Sequence, residues 1–275
     1  MLTGTSASSI KKRNIINLKD SQMKKHYFSS VIKFPTAKLL ILLFLMGAIY
    51  SCSSITDSNN ALNDEHFDFV LYGQFNTSDI AQISNNLNSN YGRIINDLKV
   101  QSMPKVTVKI WSDYNTFLDD MQKDIGIRYT GSTGYIFGMA EMRIYFTAQA
   151  PSTACHEFSH LVSMQVNSTI PNNPRWLWEA VALYENNEFV NPNSLTYMVS
   201  QNYPTLEELN MDYNSSNQHI YEVGYILLEY IVQTWGMDYV IGLIKNNGDI
   251  IGVLGINNQE FESGWYKFIE EKYLH

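Results

Sequence analysis

Two hydrophobic periods, near two and near 3.6 residues, alternate along the chain from residue 67, and each predicts one kind of element. Phe67-Asp68-Phe69-Val70-Leu71-Tyr72 and Val106-Thr107-Val108-Lys109-Ile110-Trp111 alternate and are rich in β-branched and aromatic residues, which predicts strands. Between them Ile80, Ile83, Leu87, Tyr91, Ile94, Ile95 and Leu98 fall at helical spacing, predicting a helix over 79–98. Ser112 or Asp113 is placed to cap a further helix to about residue 124, with Phe117, Leu118 and Met121 inward. Residues 131–138, rich in glycine and aromatics, read as a loop or a short strand pair, and Met142-Arg143-Ile144-Tyr145-Phe146 as a strand. Helical patterns then follow over 153–167, 175–187, 205–210, 218–234, 237–246 and 259–273. The order predicts an α+β domain over 66–275, a small β/α lobe (66–150) followed by a mainly helical lobe (151–275), with no internal repeat.

The first fifty residues follow neither period. Residues 1–38 carry eight basic side chains and one acid, and an apolar run from Leu39 to Ile49 follows. That is the layout of a secretory signal, too short for a membrane-spanning helix of about 20 residues. The run ends in Ile49-Tyr50-Ser51-Cys52, which resembles a bacterial lipobox with an unusual Tyr50. The expectation is a signal peptide over 1–51, lipidation of Cys52, and an extracytoplasmic protein anchored to the membrane by that lipid. An uncleaved signal anchor and a simple secreted product are the alternatives. Met23-Lys24-Lys25 would make a more ordinary start than Met1. Residues 52–65 are polar and read as a tether.

Charge changes the picture once the leader is set aside. The chain has 19 basic and 27 acidic residues; without residues 1–51 these become 11 and 26, a net of −15 with histidine neutral. So acidic a body argues against nucleic acid or an anionic lipid surface as a bulk-charge partner. With Cys52 lipidated, Cys155 is single and no disulfide framework exists; Cys155 reads as a small packed apolar side chain.

The candidate chemistry lies at His156-Glu157-Phe158-Ser159-His160, with eighteen residues between His160 and Glu179. On a helix, His156 and His160 share a face and can hold one Zn²⁺. Glu179 lies in Arg175-Trp176-Leu177-Trp178-Glu179-Ala180-Val181-Ala182-Leu183-Tyr184, so apolar a run that a carboxylate there needs a partner. Two histidines and a glutamate leave a fourth position for water, the pattern of a catalytic zinc site, and Glu157 is placed to act as general base on that water. Ser152 or Thr153 is the expected N-cap of the motif helix.

These segments resemble the gluzincin metallopeptidases, the peptidase MA-like and aminopeptidase N-type enzymes with a thermolysin-like (zincin) catalytic domain. Trp176 to Ala182 matches their Trp-x-x-Glu-Gly-x-Ala pattern with Ala180 in place of glycine, and Tyr221-Glu222-Val223-Gly224 resembles the Tyr-Glu-x-Gly helix of the aminopeptidase N group. The resemblance implies zinc-dependent peptide-bond hydrolysis, a peptide or protein substrate, and an oxyanion-stabilising role for Tyr221, with His219 the rival donor. The group's Gly-x-Met-Glu-Asn motif is not matched by Gly138-Met139-Ala140-Glu141-Met142, so aminopeptidase specificity is not carried over; Glu141 reads as an exposed turn residue. Glu185 is expected to face solvent or a group behind the ligands, and Tyr184 to pack behind the site. Met142–Phe146 is the candidate edge strand for binding an extended peptide, or an ordinary core strand. A non-catalytic binding lipoprotein that keeps the fold, and a zinc hydrolase for non-peptide substrates, are the competing functions.

Overall fold

The computed structural model describes residues 64–211 and 219–274, all within one contact unit. The expected signal peptide, Cys52 and nearly all of the tether lie outside the described residues. The tether ends earlier than expected, because the Asp64 carboxylate accepts the backbone N–H groups of His66 and Phe67, both at 2.8 Å, and so ties the chain down before the first strand.

Strands β1 (Phe67–Tyr72), β2 (Val106–Trp111), β3 (Gly134–Ile136) and β4 (Glu141–Tyr145) form one sheet in the order β1-β2-β4-β3. β1, β2 and β4 are parallel; β3 runs antiparallel to β4. Helix α1 (Thr77–Asp97) links β1 to β2 and helix α2 (Tyr114–Ile125) follows β2. The strand periodicity decides what each face meets. Phe67, Phe69, Val106, Val108, Ile110, Met142 and Ile144 join the main core with Ile80, Ile83, Leu87 and Ile94 of α1. Trp111 and Tyr135 form a smaller cluster with Phe117, Leu118 and Met121 of α2, so helices cover both faces. Asp113 caps α2 by accepting from the Thr116 N–H at 2.8 Å, as its sequence position predicts.

Of the two readings of Met142–Phe146 the core strand holds, and the reading of Glu141 needs correction. β4 lies inside the sheet between β2 and β3, so the open edge on that side belongs to β3. Glu141 is no turn residue: it opens β4 and pairs with Lys109 at 2.9 Å and Arg143 at 2.6 Å. A lone sequence shows no cross-strand neighbour, and here one of them, Lys109 of β2, supplies a cation.

The helical part comprises α3 (Ala150–Val166), α4 (Arg175–Glu185), α5 (Thr196–Val199), α6 (Leu206–Leu209), α7 (Ile220–Thr234), α8 (Met237–Lys245), α9 (Ile250–Leu254) and α10 (Asn258–Tyr273). The mixed α/β class and element order agree with the sequence reading, but α5 and α9 were not foreseen. α3 begins earlier than expected. Gln149 holds the N-cap position and Pro151 sits in the first turn, where its missing N–H costs nothing; Ser152 and Thr153 are therefore inside the helix. α4 is buried on nearly every side, as its apolar sequence requires. It packs on α7 where Gly224 faces Ala180: a Cβ on Gly224 would stand 3.3 Å from the Ala180 Cα and 2.6 Å from Leu183 Cδ1. The glycine of the Tyr-Glu-x-Gly block is thus a close-approach residue between these two helices.

Candidate metal centre

α3 presents His156, Glu157 and His160 toward a cleft of about 610 Å³, and α4 brings Glu179 to the same place. The expected ligand set is assembled: the ligand atoms of His156, His160 and Glu179 lie within 4.8 Å of one another. Glu179 Oε2 is 3.4 Å from His156 Nε2 and 3.8 Å from His160 Nε2. A tetrahedral ion with bonds of about 2.0–2.1 Å separates its ligand atoms by about 3.3–3.4 Å, a spacing that Glu179 and His156 already have, so this donor set fits a small divalent cation once the wider pairs draw in. Glu179 is 2 % exposed, and a carboxylate so buried requires positive charge beside it.

The site's electrostatics express the same demand. Burial disfavours a charged His156 ring, but the carboxylates of Glu179 and Glu188, with Glu157 nearby, outweigh it and hold the imidazole protonated well above the ordinary histidine range. Burial and the neighbouring His156 push His160 the other way, well below that range. Burial raises the Glu157 carboxyl to about 8; His156 opposes the rise, while Glu179 and Glu188 add to it. Three carboxylates around two imidazoles share one proton's worth of positive charge, the charge that a cation would supply more fully.

Each ligand is steadied differently. His160 stacks on Trp178 with ring centroids 3.9 Å apart and planes within 8°. His156 Nδ1 faces Glu188 Oε1 at 3.3 Å. Glu157 lies under the edge strand: a Cβ on Gly134 would come within 2.7 Å of its Oε1. Cys155 is fully buried, as expected, with burial pushing its thiol up to about 12.

Tyr221, at the start of α7, lines the cleft, and the Arg175 guanidinium sits 5.4 Å from its ring centroid. His219 is not among the described residues lining it. Its Nδ1 is 2.7 Å from Glu222 Oε2, and its ring lies 4.0 Å from that of Tyr197, whose hydroxyl donates to the same carboxylate. Tyr184 packs against Tyr225 at 5.2 Å and is not among the described residues lining the cleft. Glu185 contradicts its expectation: it is fully buried and paired with Arg93 of α1 at 2.5 Å.

Sequence reasoning missed Glu188, Trp178 and Gly134. Glu188 had a faint signal in Asn186-Asn187, asparagines at a helix end that favour a left-handed residue and a sharp reversal. Trp178 adjoins a ligand, but nothing in its spacing reveals a ring stack, and Gly134 had none beyond being a glycine in a strand. No family model, curated protein or solved structure matches this chain, and the reading of its site rests on its own residues and geometry.

Proposed function

We propose that this chain is a zinc-dependent metallopeptidase of the gluzincin type with a thermolysin-like catalytic domain, held outside the cytoplasm by a lipid on Cys52. The observation that carries the reading is the buried Glu179 facing two imidazoles of one helix, with Glu157 of that helix lining the same cleft. His156, His160 and Glu179 would hold the ion. Bound there, zinc supplies Lewis acidity, polarising a carbonyl and making a water more acidic.

The remaining steps belong to the chain. Glu157 takes the proton of the attacking water and passes it to the leaving amine, its side chain lining the same cleft as the three candidate ligands. Tyr221 donates its phenolic hydrogen to the oxygen that gains negative charge, a contact of a kind worth about 10²–10³ in rate. The geometry favours it over His219, which Glu222 and Tyr197 engage. β3 is the open edge beside Glu157, where an extended peptide can lie antiparallel to it and present its carbonyl to the base.

The test is Glu157→Gln. The variant should bind zinc as the wild type does and cleave no member of a peptide library that the wild type cleaves; equal cleavage by both sinks the reading. One zinc per chain with no turnover by either assigns the fold to metal or ligand binding instead. Mass analysis of the mature N-terminus tests the lipid on Cys52.

A further inference from the structure

The two imidazoles present Nε2 to Glu179, and that shared direction needs a cause for each ring. His160 has one in the Trp178 stack; its Nδ1 is buried and has no hydrogen-bond partner among the described residues. His156 is held from its opposite nitrogen. Glu188 Oε1 stands 3.3 Å from His156 Nδ1, so the ring lies between two carboxylates, one at each nitrogen. An ionised carboxylate only accepts, so the facing Nδ1 carries the hydrogen and leaves Nε2 as the donor atom for a metal.

Glu188 reaches this position through a built turn. α4 ends at Glu185, and Asn187 adopts φ 55°, the left-handed conformation that asparagine tolerates better than most residues. The Glu188 N–H then bonds the Leu183 carbonyl at 2.9 Å and the Asn187 N–H bonds the Tyr184 carbonyl at 3.0 Å. These two bonds are the Schellman pattern, which folds the chain back over the last helical turn. The reversal carries Glu188 toward α3. Asn186 completes the arrangement: its side-chain amide donates to Glu188 Oε1, to the Ser152 hydroxyl at 2.8 Å and to the Ser152 carbonyl at 3.0 Å. Ser152 is on α3, one turn before His156, so the link spans the two ligand-bearing helices.

Resting on the metallopeptidase reading above, we infer that Glu188 is a positioning residue for the metal site: its carboxylate accepts the Nδ1 hydrogen of His156 and holds Nε2 toward Glu179 and His160, with Asn186 and Ser152 fixing the carboxylate in turn. Hydrogen-bonded partners behind a ligating histidine typically govern metal affinity by about 10–100-fold. The Glu188 side chain is 39 % exposed, so replacing it opens no cavity in the core.

The test measures zinc affinity of the whole protein by competition with a chromophoric chelator, and the visible spectrum of the cobalt(II)-loaded form. Glu188→Ala should weaken zinc binding by about 10–100-fold and alter the cobalt bands. Glu188→Gln, which keeps an acceptor but loses the charge, should fall between Glu188→Ala and wild type. Asn187→Gly, which preserves the turn and the carboxylate, should bind zinc and cobalt as the wild type does. Equal zinc affinity and cobalt spectra in wild type and Glu188→Ala overturn the inference, and should the alanine variant not fold, wild-type affinity in Glu188→Gln overturns it. Failure of the underlying reading looks different: the wild type then binds no more zinc than His156→Ala.

Discussion

Gly134→Ala separates the proposed base, Glu157, from the candidate ligands. The new Cβ would stand 2.6 Å from Thr153 Cγ2, 2.7 Å from Glu157 Oε1 and 3.0 Å from Glu157 Cγ. Ordinary contacts begin at 3.4 Å, so Glu157 or the edge strand must yield by about 0.7 Å, the gap between 2.7 and 3.4 Å. β3 is hydrogen-bonded to β4, whereas Glu157 ends in a carboxyl that can rotate, so the carboxyl moves first. A misplacement of about 1 Å at reacting groups can cost about 10²-fold, and the expected loss of kcat is about 10–100-fold. His156, His160 and Glu179 are untouched, so zinc affinity should stay within about threefold on the same geometric ground. Initial rates on a quenched-fluorescence peptide that wild type cleaves and Glu157→Gln does not, with zinc affinity alongside, check both halves. Adding Thr153→Ser removes the methyl at 2.6 Å and should restore part of the rate. Wild-type kcat in Gly134→Ala refutes the reasoning, since it would mean that the carboxyl beneath β3 does not take the proton. Loss of zinc with the activity refutes it differently, by showing that the strand also braces the ligands.

Three further outcomes follow from the same geometry. Zinc at about a thousand times its dissociation constant should stabilise the protein by about 4 kcal/mol, raising Tm by about 8–16 °C in a calorimetric scan, and His160→Ala should abolish the shift. Burial, with Asp97 adding and Arg93 opposing, raises the Glu185 carboxyl from 4.5 to about 7, so the folded protein holds that proton more tightly than the unfolded chain does. Its stabilising contribution is full below about pH 4.5 and is lost as pH rises through 7; urea denaturation at pH 5 and 8 should show this decline in wild type and a flatter profile in Glu185→Gln. Gly224→Ala should lower stability by about 1–3 kcal/mol through overpacking of α4 against α7, read as a Tm fall of about 2–12 °C.

How much of this was legible in the sequence follows from range. α1, β1, β2 and α7 announce themselves because their periodicity is written in consecutive residues. The candidate ligand set was equally local: His156 and His160 are one turn apart, and Glu179 stands out by its apolar surroundings. What failed was whatever depends on a distant neighbour. Glu185 looks like a surface residue at a helix end until Arg93, 92 positions away, is seen to reach it. Glu141 looks like a turn until Lys109 pairs with it across the sheet. Whether β4 was a free edge or a core strand stayed open because strand order is invisible in a linear chain. Glu188 fell between these cases, its turn local but its target on another helix.

Glu179 and Glu185 together show why the site differs from an ordinary buried ion pair. Both are on α4, six residues apart, and both are almost wholly removed from water. Each therefore carries a desolvation cost of several kcal/mol unless opposite charge stands beside it. For Glu185 the fold supplies a permanent cation, Arg93, whose guanidinium binds both its carboxylate and its backbone carbonyl. For Glu179 it supplies two imidazoles, which are neutral unless protonated, and it raises the affinity of one of them for a proton with a second carboxylate, Glu188. An arginine at that place would be a cation that neither loses its proton nor yields to a metal. Histidines leave the charge exchangeable: on the proposed reading, a divalent ion would take over from the proton that His156 holds. A fold that needed only stability at Glu179 had the simpler solution in use six residues further along the same helix.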